Sequence, residues 1–81
     1  MESTRTVYRC VYAFKYQFED GTMFGPVRDS KAFRTEPEAR KHADELRASG
    51  YSVVVWRERQ VKTRRRWETD LDHESTQPLD P

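Results

Sequence analysis

The even-numbered positions from residue 8 to residue 18 are all aromatic or apolar, and the positions between them mix charged and polar with small apolar residues. Period two over this length predicts a long β-strand, because successive side chains of a strand point to opposite faces. The pair Asp20-Gly21 follows, a dipeptide that two-residue hairpin turns favour. Residues 23–27 can return antiparallel, although Pro26 cannot donate to a ladder and shortens or kinks this second strand. The chain therefore opens with a β-hairpin.

The composition indicates what kind of core this chain can build. Its 81 residues include no isoleucine, and aromatic residues make up 12% of them. A domain of this size buries about 60% of the surface of its unfolded chain, so a deep enclosed active site is not expected. Aromatic and β-branched side chains pack well on a pleated surface, whereas helices poor in leucine have little to bury. A sheet is therefore expected to dominate the fold.

One helix is predicted after the first hairpin. Thr35 and Glu38 have the spacing of a capping box, and Pro37 falls in the first turn, where its missing N–H costs no hydrogen bond. Gly50 stands where a left-handed residue commonly ends a helix. The apolar stripe of this helix is narrow and consists of Ala39, Ala43 and Leu46. Alanines on the inner face allow a helix to approach an aromatic sheet closely.

Two strand-like segments follow the helix. Residues 51–56 form a dense apolar run and residues 61–67 alternate, but no glycine, proline or asparagine marks a turn between them. Two alternatives stay open: a tight hairpin near residues 58–60, which we prefer, or one long bent strand from Ser52 towards Trp67. The predicted fold class is α+β, a small and mostly antiparallel sheet of about four strands with one helix on one face, in the order β-β-α-β-β.

The limits of the domain follow from this pattern. Residues 1–6 are expected to be a flexible N-terminus, and residues 7–68 to form a single α+β domain. Residues 69–81 have the composition of a disordered acidic tail. Such a tail either keeps the protein soluble or folds back on a basic strand and competes with an anionic ligand.

The most basic part of the chain lies between residues 57 and 66, although the net charge is only +1. Its cations could follow a phosphate backbone, and flanking tryptophans could stack on bases. Three interpretations stay open: contact with nucleic acid, contact with an acidic protein partner, and a solvated strand whose charges prevent edge-to-edge aggregation. Alternation would place Lys62, Arg64 and Arg66 on one face. The candidate binding residues are Trp56, Arg57, Arg59, Lys62, Arg64, Arg65, Arg66 and Trp67.

The aromatic row of the first strand is the second candidate surface. One helix covers only one face of a sheet, so either this row or the opposite face stays open. An open apolar face commonly marks an interface, and a homodimer formed through it is a hypothesis. The candidate interface residues are Tyr8, Tyr12, Phe14, Tyr16 and Phe18.

Catalytic and metal-binding patterns do not emerge from the sequence. The acids are scattered over a turn, the helix and the tail, and His42, His73 and Cys10 have no metal-ligand spacing. We therefore predict a protein without enzymatic activity, cofactor or metal. No secretion signal or membrane-spanning run is visible, and the single cysteine, expected to be buried in a strand, fits a reducing compartment. A cytoplasmic location is the expectation.

Two local resemblances and one general one add to this interpretation. The segment from Phe33 to Ala39, with Leu46 and Gly50-Tyr51 beyond it, resembles the AP2-like arm-type DNA-binding domain of tyrosine integrases over about residues 8–48. That resemblance implies a three-stranded sheet entering the major groove of DNA. The same helix with the strand after it also resembles half of a peptidoglycan-binding SPOR domain.

The chain also resembles small accessory proteins of actinobacterial phages in its composition, which is rich in arginine and aspartate, in its aromatic strands and in its proline-containing end. This resemblance implies a non-catalytic role, in the host cytoplasm if the protein is phage-encoded. The predicted function is binding to nucleic acid through residues 57–66. The alternative is a protein-interaction module that binds or inhibits a host protein through its aromatic sheet face and arginines.

Overall fold

The computed structural model describes residues 3–79. It contains one sheet and one helix, and the strands run in the order β2-β1-β4-β5, with β3 pairing with β1 and β6 pairing with β4. Every strand pairing is antiparallel. The elements in chain order are β1 (Thr4–Phe18), β2 (Gly21–Phe24), β3 (Arg28–Asp29), α1 (Glu36–Ala48), β4 (Tyr51–Thr63), β5 (Arg66–Thr69) and β6 (Gln77–Leu79). The predicted α+β class is confirmed, and β3 and β6 are additions to the predicted order.

Strands β1 and β4 are the two longest strands and form the centre of the sheet. They pair continuously from Thr4 opposite Val61 to Phe14 opposite Tyr51. This long antiparallel pair gives the protein an elongated shape, with extents of 55 × 22 × 21 Å. The β1–β2 hairpin therefore lies at one end of the long axis and the β4–β5 hairpin at the other.

The helix begins and ends where its sequence signals predict. Thr35 is the N-cap, and its side-chain oxygen accepts a hydrogen bond from the backbone N–H of Glu38. Gly50 follows the helix with a φ of +95°, a conformation that suits glycine. Within residues 3–79, no helix combines the length and the apolarity needed to cross a membrane.

The core lies between α1 and one face of the sheet, called here the helix face. Its fully buried members include Cys10 on β1 and Ala39 and Ala43 on α1. The thiol of Cys10 donates to the carbonyl oxygen of Ala39 at 3.2 Å, which shows how closely the alanine stripe lets the helix approach. Val55 pairs with Cys10 across the strands and completes the layer. The even-numbered residues of β1 thus point towards the helix.

The opposite face of the sheet, called here the open face, has two distinct halves. Near the β4–β5 end, Val7 is only 2% exposed although no helix lies on this face. Its cross-strand neighbour Glu58 accepts hydrogen bonds from Arg9 and from Thr69, so a polar network shields the valine. Near the β1–β2 end the face is apolar, and the exposed residues there include Phe24, Val27 and Val54. The homodimer hypothesis stays a prediction for this apolar half.

Both hairpin turns differ from their predicted positions. The first loop consists of Glu19 and Asp20, because Phe18 pairs with Gly21. Gly21, expected inside the loop, follows it with a φ of +154°. The second turn is not near residues 58–60: β4 continues to Thr63, which pairs with Arg66 across a two-residue loop. The preferred hairpin position was wrong because the turn uses arginines instead of turn-forming residues.

The first and last segments of the described residues both contact β4. Residues 4–6 belong to β1, and the backbone N–H of Lys62 donates to the carbonyl oxygen of Ser3. After β5, residues 70–76 continue in the same direction along β4, and β6 then pairs with residues 55–57 of β4. Leu79 packs against the core cluster, which explains why the acidic segment stays attached. The part of the predicted tail at Asp80 and Pro81, like Met1 and Glu2, lies outside the described residues.

Candidate functional site

The loop of the β4–β5 hairpin consists of two arginines in the left-handed region. Arg64 has a φ of +46° and Arg65 a φ of +73°, and the loop between Thr63 and Arg66 contains no other residue. Positive φ at both central positions is the signature of a type I′ turn, which Asn-Gly satisfies best. For other L-residues the left-handed conformation costs about 1–2 kcal/mol each. The turn is therefore strained, and both arginine side chains are exposed at its tip.

Trp67 organises the cations beside this turn on the open face. It pairs with Lys62 across the strands, and the lysine Nζ lies 5.8 Å from the centre of the indole ring. The guanidinium carbon of Arg5 lies 4.2 Å from the same ring, a distance typical of cation–π contacts. The Arg5 Nε also donates to the side-chain oxygen of Gln60 at 2.8 Å. Arg5 is thus positioned by both Trp67 and Gln60.

The five Lys and Arg side chains at this end of the molecule form a surface that we call the cationic tip. Each cation of the tip lacks an ion pair with any carboxylate in residues 3–79. Among the described residues, the exposed carboxylate of Glu68 lies two residues from Arg66 on the same face of β5 but forms no ion pair with it. The members of the cationic tip are Arg5, Lys62, Arg64, Arg65 and Arg66.

Arg5 was not among the predicted site residues. It lies at the start of β1, more than fifty positions before the basic run, and reaches the tip only because β1 and β4 pair with Arg5 opposite Gln60. The sequence contains no signal for that register. Two alternating strands can pair in several registers, and the side-chain pattern alone does not select one.

Two predicted site residues, Arg57 and Arg59, point to the helix face and bind the C-terminal segment. The Arg57 Nε donates to the carbonyl oxygen of Ser75 at 2.9 Å. Arg59 forms an ion pair with Asp70 at 3.0 Å, and its backbone N–H donates to the Thr76 hydroxyl oxygen. The C-terminal segment therefore binds two of the cations of the basic run, Arg57 and Arg59, and does not cover the cationic tip.

The remaining cations of the basic run are divided between the faces. Lys62 pairs with Trp67 on the open face, whereas Arg66 pairs with Thr63 on the helix face. The expectation that Lys62, Arg64 and Arg66 share one face was wrong, because it assumed an uninterrupted strand through residue 66. The two-residue loop reverses the chain between them.

Trp56, also predicted to flank the site, lies in the middle of the sheet. It is half-buried and pairs with Arg9 on one side and Pro78 on the other. Six residues separate it from Lys62 along β4, which corresponds to about 20 Å at the rise of a strand. Trp56 therefore does not belong to the cationic tip.

The aromatic row of β1 is divided by the end of the helix. Tyr8 and Tyr12 pack against the core cluster under α1. Beyond the helix, Phe14 contacts the ring of Tyr51 edge to face, and its neighbours become increasingly exposed. The exposed fractions are 38% for Phe14, 47% for Tyr16 and 57% for Phe18. The exposed part of the row thus lies at the end of the molecule opposite the cationic tip.

A buried thiol and an open groove are two further features of residues 3–79. Burial raises the pKa of the Cys10 thiol, an effect that its contact with Ser30 and the charge of Arg47 only partly oppose. An open groove of about 630 Å³ lies between α1 and the segment after β3, with Lys31, Phe33 and His42 among its lining residues. Within residues 3–79, no three histidine, cysteine or acidic side chains are grouped as a metal site would require.

Comparisons with protein-family models, curated proteins and solved structures gave no significant match to this chain.

Proposed function

We propose that this protein is a non-catalytic nucleic-acid-binding protein whose contact surface is the cationic tip. The observation that carries the proposal is the convergence, at one end of an elongated domain, of five cations that form no ion pair with a carboxylate of residues 3–79. Phosphate groups are the natural counterions of such a surface, and contacts with them supply most of the sequence-independent affinity of proteins for nucleic acids. The proposed ligand is a polyanion, and its contact residues come from the start of β1 as well as from the β4–β5 hairpin.

The strained turn supports a binding role over a merely solvated surface. A hairpin that only had to close would be more stable with Asn-Gly at residues 64 and 65. Strained residues persist where another requirement keeps them, and a left-handed arginine pair projects two guanidinium groups beyond the last strand pair. Adjacent like charges add repulsion, which an anionic ligand would relieve.

A salt titration tests the proposal directly. Binding of the protein to mixed-sequence DNA and RNA is followed by fluorescence anisotropy from about 50 mM salt upwards. With four to five phosphate contacts, the log–log slope of affinity against salt should be about −3.5 to −4.5 for a duplex and shallower for a single strand. The absence of binding to every nucleic acid at about 50 mM salt would contradict the proposal.

A pair of charge-matched variants identifies the surface. Arg64→Asn/Arg65→Gly removes two cations from the tip, and Arg34→Gln/Lys41→Gln removes two exposed cations elsewhere. The first variant should weaken binding and make the salt slope shallower by about 2, since each lost phosphate contact changes it by about 0.9. The second should leave both quantities unchanged. Equal losses would mean that net charge, and not the tip, determines binding.

A second candidate function is a protein-interaction module, as the exposed aromatic side chains at the β1–β2 end suggest. The side chains of Phe18 and Met23 are each more than half exposed there. A hairpin that only contacts water does not require such large apolar side chains. If a host protein binds at this end, Phe18→Ser should abolish its binding and Arg64→Asn/Arg65→Gly should leave its binding unchanged. Under either function we assign the protein to the cytoplasm, as a phage accessory protein acting inside its host, which cell fractionation tests.

A further inference from the structure

We infer that the cationic tip binds in the major groove of double-stranded DNA and not along a single strand. This inference rests on the proposed function and specifies its ligand. Three features of the β4–β5 hairpin carry it: the distribution of its cations over two faces, its dimensions, and the position of its aromatic side chains.

The cations of the tip point in more than one direction. Lys62 and Arg5 lie on the open face, Arg66 lies on the helix face, and Arg64 and Arg65 project from the turn. A single strand lying along one face of the sheet would contact only part of this set. A groove has phosphates on both walls, so a ribbon inserted between them brings both faces close to phosphate groups. The division of the charges, which is unfavourable for a flat surface, therefore suits a groove.

The dimensions of the hairpin agree with this geometry. Two paired strands are about 4.8 Å apart and occupy about 10 Å with their side chains. The major groove of B-form DNA is about 12 Å wide and 8.5 Å deep and admits a two-stranded ribbon, whereas the minor groove is about 6 Å wide. Thr63 and the two-residue turn lie beyond Lys62, so the backbone of the hairpin extends about 7 Å past the lysine, within the depth of the groove.

Single-strand binding would need open aromatic platforms beside the cations, and within residues 3–79 the one aromatic ring at the tip is that of Trp67. Proteins that bind single strands combine a positive groove with side chains on which bases stack. The ring of Trp67 already carries the guanidinium group of Arg5. Trp56 is about 20 Å away, and the exposed aromatic row begins near Tyr51, about 40 Å along β4 from the turn. Stacking and charge are thus separated by most of the length of the molecule.

The test compares three ligands of equal length at about 50 mM salt, a concentration at which phosphate contacts are strong. These are a mixed-sequence DNA duplex, one of its single strands, and the corresponding RNA duplex, whose narrow major groove does not admit side chains. We expect the DNA duplex to bind at least fivefold more tightly than either of the others. A DNA duplex with bulky substituents at C5 of thymine, which project into the major groove, should lose roughly tenfold in affinity.

The turn variant, together with which of the ligands bind, distinguishes a failure of this inference from a failure of the proposed function. Arg64→Asn/Arg65→Gly should lower affinity for the DNA duplex roughly tenfold or more, and Arg34→Gln/Lys41→Gln should not change it. Equal or tighter binding of the single strand or of the RNA duplex would overturn the groove inference and leave nucleic-acid binding intact. Unchanged affinity for the C5-substituted duplex would also overturn it. Binding to none of the ligands would overturn the proposed function itself.

Discussion

Replacing Arg64-Arg65 by Asn-Gly should stabilise this protein while weakening its binding to nucleic acid. The replacement keeps the two-residue loop and the Thr63–Arg66 pair, and it supplies the dipeptide that a type I′ turn prefers. Most surface substitutions change stability very little, so an increase at this position would be a specific consequence of the two positive φ angles. The prediction therefore tests both the turn geometry and the reason for its arginines.

The expected gain follows from the backbone conformation of the two residues. At position 65, glycine removes a left-handed cost of about 1–2 kcal/mol, and asparagine at position 64 relieves part of a similar cost. Glycine also gives the unfolded chain more freedom, which offsets roughly 0.5–1 kcal/mol of the gain. The net stabilisation should be about 1 kcal/mol. For a domain of this size such a change raises Tm by about 4–8 °C.

Chemical and thermal unfolding measure this effect, with Arg64→Lys/Arg65→Lys as the matched control. The lysine variant keeps both charges and both strained φ angles, so its stability should equal that of the unmodified protein. Stability of the Asn-Gly variant equal to or below that of the lysine variant would refute the turn geometry. If the Asn-Gly variant is more stable but binds nucleic acid as tightly as before, the arginines are not kept for binding.

Three further predictions concern the body of the domain. Thr35→Ala removes the N-cap and should destabilise the protein by about 1 kcal/mol in denaturant unfolding, whereas Thr35→Ser should be nearly neutral. Glu58→Gln leaves Arg9 or Thr69 without its partner at a largely buried site and should cost about 1–3 kcal/mol in denaturant unfolding, so an unchanged free energy of unfolding would contradict this role of Glu58. Because burial raises the pKa of Cys10, the folded protein keeps the thiol proton to higher pH than the unfolded chain. Its contribution is complete at neutral pH and should decline as the pH rises into the alkaline range, and an identical alkaline loss in Cys10→Ala would exclude the thiol as the cause.

The elements with local signals could be predicted from the sequence. Thr35 and Gly50 mark the two ends of α1 through backbone geometry that depends only on neighbouring residues. The alternation in β1 likewise reflects its two environments, with Cys10 under the helix and Val11 on the open face. In each case a short stretch of chain contains the physical cause of the structure, so no knowledge of its partners is needed.

The candidate site was harder to predict because it depends on register and on a turn without turn-forming residues. Arg64 and Arg65 are poor residues for a left-handed loop, and only the pairing of β4 with β5 imposes that conformation on them. A turn placed a few residues earlier changes which face each cation occupies. The contribution of Arg5 depends on the pairing of β1 with β4, which the sequence pattern does not specify. Composition therefore identified the basic segment but not the surface that it forms.

The small net charge of this chain conceals a separation of charges that the fold produces. Carboxylates on β4 and in the C-terminal segment neutralise cations in the body of the domain, as Glu58 does for Arg9 and Asp70 for Arg59. Since Asp70 is held against Arg59 and its segment continues along β4 to β6, away from the turn, these acids do not reach the cationic tip. Screening limits the interaction of exposed charges to about 8–10 Å at physiological salt, so the acids of the body have little effect on the potential at the turn. Within residues 3–79, a polyanion approaching the β4–β5 end therefore meets five cations and one carboxylate, that of Glu68.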